Sequence, residues 1–252
     1  METALDPFEP EMVTVAQYVA RHGRRMPGVV RAAARCPVCR QPMTAMGDGT
    51  ANTVGHFAHR KGAGFCPTRE AAQAPYLALP PSFPDPDRGR WLREVVRSQA
   101  DQHLAVLQQW ATYLGPEELD EMLAIAARRR LWEYRHLQPW QVPFCLLMTR
   151  EFPPWTSARS GAGQPIRRLW FRFWFDSGVR GIDDLWIHRE GKVHVHRGSY
   201  LPPSGRRALP GLADLQRVTS EPISPLALPG SPLKGTANFL NMLRGIMARH
   251  LA

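Results

Sequence analysis

The stretch that decides how the N-terminal part of this chain folds is Cys36-Pro37-Val38-Cys39, followed by His56-Phe57-Ala58-His59 and then by Cys66. Two cysteines separated by two residues let the intervening backbone turn its amides toward both sulfurs, the usual knuckle of a structural zinc site. A second ligand pair is then required. It can come from His59 and Cys66, from His56 and His59, or from His56 and Cys66. The set Cys36, Cys39, His59 and Cys66 is preferred, with His56 packing beside it. Four protein ligands close a tetrahedron and leave no position for a reactive water, so the expected cofactor is one structural Zn2+. The segment from Arg35 to Cys66 is rich in Gly and turn formers and poor in periodic apolar residues, which suits a stretch organised by metal rather than by a core. The remaining cysteine, Cys145, stands alone in an apolar segment and reads as core.

Charge is concentrated around the same motif. The chain carries a formal net charge of +10, almost wholly as arginine, since its lysines are Lys61, Lys192 and Lys234. Between Arg21 and Arg69 nine basic residues face one acid, Asp48, which leaves +8. Three thiolates and one Zn2+ would change that by only about one unit. Clustered arginine attracts nucleic acid by neutralising phosphates. The residues expected to do so are Arg31, Arg35, Arg40, Arg60 and Lys61, with DNA favoured over RNA.

At these residues the sequence resembles the N-terminal zinc-binding region of CoiA-like competence proteins, in which a Cys-Pro-x-Cys pair precedes a His-Phe-Ala-His segment and a further Cys. The match runs from Arg35 to Glu70, about one seventh of the chain. It implies a bacterial setting of DNA uptake, mobile elements or defence, and a following domain like that of restriction endonucleases. Such a nuclease needs an Asp and a Glu-x-Lys on adjacent strands to hold Mg2+ and activate water. The candidates are Asp183 or Asp184 with Glu190-Gly191-Lys192, where the composition predicts a hairpin turn rather than an apolar strand. The first expectation is therefore a zinc-stabilised nucleic-acid-binding protein rather than an enzyme. A metal-dependent nuclease is the second. The third is a protein-interaction subunit of a larger nucleoprotein assembly, docking through exposed aromatics and the terminal helix.

Outward from the motif the chain divides into a basic zinc-binding module over residues 1–73, a Pro-rich connector over 74–88 and an α+β domain over 89–252. Thr14 to Gly23 carries a weak helical pattern. Helical spacing of Trp91, Leu92, Val95, Val96, Leu104, Leu107 and Trp110 predicts one long or two short helices, and Pro116 with Glu117 and Glu118 opens another. Val142–Phe152 and the alternating Arg167–Asp176 read as strands, and Asp184–Ile187 with Lys192–His196 as a hairpin. The tract from Pro202 to Pro232 reads as mostly loop, and a helix after Gly235 closes the chain. The fold class expected is thus α+β, with a small N-terminal zinc-binding module, a helical middle region, a short antiparallel β-sheet and a C-terminal helix. His188, His194 and His196 lack paired carboxylates nearby in sequence and read as cross-strand packing rather than a metal site. Trp170, Arg172 and Trp174 could stack bases, but a strand buried on both faces is the simpler reading. No apolar run reaches the roughly 18 to 20 residues of a membrane span. Met1 to Pro10 lacks the basic start and apolar middle of a signal peptide, so cytoplasmic residence is the expectation.

Overall fold

Short strands and a single capped helix build the N-terminal end of the chain. In a computed structural model, which describes residues 1–47, 55–63, 66, 81–156, 165–176, 179, 181–186, 193–203, 209–224 and 232–252, the chain forms two compact units, Met1–Cys66 and Pro67–Ala252. The described residues hold six α-helices and antiparallel sheets, an α+β fold.

The first unit is a five-stranded sheet in the order β2-β1-β3-β4-β5. Its strands are β1 (Thr3–Leu5), β2 (Met12–Thr14), β3 (Ala34–Arg35), β4 (Pro42–Met46) and β5 (His56–His59). Helix α1 (Val15–His22) starts where Thr14 and Gln17 exchange side-chain-to-backbone hydrogen bonds, a capping box that satisfies two amides the first turn leaves open. It ends at Gly23, whose φ of +79° suits a residue without Cβ. The helix buries Val15 and Tyr18, and Tyr18 meets the buried Phe57 edge-on at 5.6 Å. Beside them Asp6 is buried yet ionised. Burial alone would raise its pKa, but hydrogen bonds from His22 and from the Phe8 and Glu9 amides hold it at about 2.

The second unit opens with α2 (Pro86–Ser98) and α3 (Ala100–Ala111), which meet at Gln99, followed by α4 (Pro116–Arg128) and α5 (Val142–Leu147). A two-stranded ribbon of β6 (Trp155–Thr156) and β7 (Pro165–Arg167) precedes a three-stranded sheet in the order β10-β9-β8. That sheet comprises β8 (Trp170–Phe175), β9 (His194–Tyr200) and β10 (Leu215–Pro222), and α6 (Ala237–His250) ends the unit. β8 is buried on both faces. Phe173 packs edge-on to Trp110 of α3 at 6.3 Å, while Trp174 on the opposite face is 1% exposed. Gly198 makes this possible, because a Cβ there would fall 2.6 Å from the Tyr200 ring and 2.9 Å from the Trp174 ring.

Four sequence expectations change. Val142–Phe152 is not a strand but begins as α5, because its residues are buried on every side and so carry neither the twofold nor the 3.6-fold period that separates the two structures. Ile182–Trp186 is a 3-10 turn, not one arm of a hairpin; β9 pairs instead with β8 and β10. Leu215–Pro222, inside the tract expected to be mostly loop, is the edge strand of that sheet, a position where terminal Pro222 is tolerated. Residues 84–88, expected within the connector, are part of regular structure. Pro84 bridges to Tyr134, Asp85 caps α2 through the Arg88 amide, and Pro86 supplies the first helical turn. Residues 74–80 lie outside the described residues. No described helix is long and apolar enough to cross a membrane.

One core residue of the second unit makes its stability depend on pH. His103 on α3 is 0% exposed, and neither ring nitrogen has a hydrogen-bond partner among the described residues. Burial pushes its pKa down from 6.5 to about 4. The unfolded chain therefore binds the proton more readily than the folded one between those values. Stability is full above pH 6.5 and falls as the pH drops toward 4, by on the order of 3 kcal/mol. Replacing His103 with Leu is expected to flatten thermal stability across that window and to add about 1–2 kcal/mol at pH 7. Melting curves at stepped pH check both.

Candidate metal centre and its basic surroundings

The hairpin of β3 and β4 carries the Cys36–Cys39 knuckle. Cys36 is joined back to the strand by its amide to Gln41 O at 2.9 Å, and its carbonyl accepts from the Arg40 amide at 3.0 Å. Arg40 closes the turn in the left-handed region, at φ +61°. The Val38 amide points at Cys36 Sγ, 3.4 Å away, as the knuckle requires. β5 pairs with β4 so that His59 lies opposite Met43, and a turn at Arg60–Ala63 precedes Cys66.

The result is a cluster in which one donor atom each from Cys36, Cys39, His59 and Cys66 lies within 4.8 Å of all the others. Cys36 and Cys66 sulfurs are 3.9 Å apart, and Cys39 Sγ is 3.2 Å from His59 Nε2. Cys36 and Cys66 are buried, Cys39 and His59 half-buried. The thiols perturb one another in opposite directions. Hydrogen bonds from the Cys39 and Cys66 thiols draw Cys36 down to about 3, while the Cys36 and Cys66 sulfurs, with burial, push Cys39 up. Without a cation one thiolate is accommodated and a second is resisted. A bound metal ion removes that conflict, so the residues present fit one.

His56 is not part of the cluster. It is exposed opposite Met46, three residues from His59, and an odd separation along a strand sends side chains to opposite faces.

Cations gather around the centre. Arg40 directly follows Cys39, and Arg60 and Lys61 directly follow His59. The side chains of Arg24, Arg25, Arg40, Arg60 and Lys61 are exposed and carry no hydrogen bond or ion pair among the described residues. Arg24 and Arg25 are additions to the sequence reading. Arg35 serves the fold instead, its guanidinium donating to Asp6 O and Glu9 O, and Arg21 pairs with Glu11. Arg31 donates to Gly23 O at 2.6 Å and lies over the Tyr18 ring.

Of the nuclease candidates, Asp183 and Asp184 are hydrogen-bonded to neighbouring backbone and side chains. Asp183 accepts from the Ser82 amide and hydroxyl, at 3.0 and 2.7 Å, and Asp184 accepts from the Gly181 amide at 3.2 Å. Both sit in the 3-10 turn rather than on a strand, and Glu190 and Lys192 lie outside the described residues, as does His188. His194 and His196 do have a carboxylate, Asp176, distant in sequence but one strand away. Its oxygens lie 3.1 Å from His194 Nδ1 and 2.9 Å from His196 Nε2, and His196 Nδ1 lies 2.7 Å from Ser220 Oγ. Those hydrogen bonds outweigh partial burial and keep Asp176 ionised, at about 2. Trp174 and Arg172 are buried, and Trp170 donates to Glu151, so this strand offers no open aromatic face.

Comparison of the chain with protein-family models, with curated proteins and with solved structures finds no match.

Proposed function

We propose that the N-terminal unit is a zinc-organised platform for nucleic acid, DNA before RNA. Zinc is the metal that best suits three thiolates and one imidazole. A tetrahedron with zinc–sulfur bonds of about 2.3 Å has sulfur–sulfur edges of about 3.8 Å, against 3.9 Å between Cys36 and Cys66. Four protein ligands leave the ion no reactive water, so its part is to fix the backbone from which Arg40, Arg60 and Lys61 project.

The observation that carries the binding reading is the set of open cations on the small unit that holds the metal centre. In the second unit Arg90, Arg130, Arg150, Arg167, Arg172, Arg244 and Arg249 each meet a carboxylate, while Arg97, Arg128, Arg129, Arg168 and Arg217 are exposed and meet none among the described residues. In the first unit Arg24, Arg25, Arg40, Arg60 and Lys61 meet none among the described residues. Exposed, unneutralised cations on one small unit suit a polyanion. The resemblance to CoiA-like proteins supports a role in bacterial DNA uptake, mobile elements or defence.

Filter retention of labelled single- and double-stranded DNA and RNA by the zinc-loaded chain tests this. Five phosphate contacts predict an affinity loss of roughly 100- to 500-fold between 50 and 200 mM salt. Absence of retention at the lower salt, or retention that salt leaves unchanged, would contradict the proposal.

A further inference from the structure

We infer that the nucleic acid taken by this unit is single-stranded, and that the guanidinium plane of Arg31 is the platform on which one of its bases stacks. The inference rests on the binding reading above and assigns it a place.

That place is a groove of about 390 Å³ lined by Arg25, Arg31, Arg60, Val29, Val30 and Met43, among others. A volume of this order is that of a small-molecule site, which an unstacked nucleotide can enter. A duplex keeps its bases paired and stacked inside and offers the mouth of such a groove only phosphates. The lining is mixed in the way a single strand needs. Arg25 and Arg60 are exposed cations with no partner among the described residues. Between them lie valines exposed far beyond what a solvated surface favours, 61% at Val29 and 98% at Val30. Phosphates suit the first and the faces of sugars and bases the second.

Arg31 is built differently from its neighbours. Its guanidinium carbon sits 4.6 Å from the centre of the Tyr18 ring, and its Nη1 donates to Gly23 O at 2.6 Å. Tyr18 is itself fixed, its hydroxyl donating to Ala32 O and its ring edge-on to Phe57. Tyr18 is 2% exposed and cannot receive a base. The half-exposed Arg31 can, because its side chain also lines the groove, and a guanidinium is planar and stacks on bases. Holding that plane in advance removes most of the ordering cost that a free arginine would meet on binding.

Fluorescence anisotropy with the zinc-loaded full chain tests the assignment. Four probes of equal length are used: a single strand of DNA, a single strand of RNA, the DNA duplex, and a single strand carrying abasic sites. The intact single strands should bind at least about ten-fold more tightly than the duplex or the abasic strand, the range expected for one stacked base. Arg31→Lys keeps the charge and removes the plane, and should cost about ten-fold on the intact strand. The duplex or the abasic strand binding as tightly as the intact strand, or Arg31→Lys binding as the unaltered chain does, would overturn the inference while leaving the binding reading intact. Should no probe bind at low salt, the binding reading fails and the inference with it. The abasic comparison needs no variant, so it decides whether bases are stacked even if Arg31→Lys does not fold, and Arg31→Gln then tests the platform in its place.

Discussion

Stripping the metal from the full chain with a strong chelator is expected to unfold residues 1–66 and leave the second unit standing. The reason lies in what each unit can bury. The strands of the first unit are two to five residues long, and three of their seven buried positions are alanine: Ala4, Ala34 and Ala45 beside Leu5, Val13, Met43 and Phe57. A core of this kind in a unit of this size supplies at most about 3–5 kcal/mol. Structural zinc in comparable small sites supplies an apparent 10–16 kcal/mol. Losing a contribution of that size would exceed what the core can hold, and Cys66 would no longer be held beside Cys36. Cys66→Ala should do the same without chelator. The second unit keeps its own core of Trp132, Phe144, Phe152 and Phe173. Limited proteolysis checks this: fragments should be lost from the first unit alone, and nucleic-acid retention should disappear together with them. A first unit that resists protease equally with and without metal would contradict the expectation.

The largest single-residue effect on the second unit is expected at Glu118. The Arg167 guanidinium, with a side chain 0% exposed, pairs with Glu118 across both carboxylate oxygens and also donates to Pro153 O and Tyr113 O. One of those oxygens accepts the Gly115 amide as well, capping α4 at 3.0 Å. Removing one partner of a buried pair leaves the other charge desolvated and uncompensated, which costs about 3–5 kcal/mol. Glu118→Gln should therefore lower the melting temperature of this unit by about 10 °C or more. Replacing the two together, Glu118→Leu with Arg167→Met, should cost less than the single change, because no orphaned charge remains. Calorimetry on the two variants tests the ordering. A single variant that melts with the unaltered chain would show that the pair contributes nothing.

How much of this was legible beforehand follows from where each interaction is encoded. The metal centre could be read because its ligands are rare residue types at short spacing. The choice between His56 and His59 turned on parity along a strand, and nothing in His56-Phe57-Ala58-His59 by itself says that the segment is a strand rather than a loop. The basic character of residues 21–69 was plain, but its division was not. Arg35 is spent on the carbonyls of Asp6 and Glu9, and Arg21 on Glu11, partners that only the folded sheet brings near. For the same reason Arg24 and Arg25 emerged as open cations, and Asp176 as the carboxylate between His194 and His196, only from tertiary pairing. The helical α5 hid because burial on all sides erases period.

Elemental analysis of the purified full chain, alongside Cys36→Ala, Cys39→Ala, His59→Ala, Cys66→Ala and His56→Ala, tests the central claim most directly. The unaltered chain and His56→Ala should each carry one zinc per chain, and the four ligand variants should lose it. Stoichiometric zinc retained in both Cys36→Ala and Cys39→Ala, or no zinc in the unaltered chain, would contradict the account.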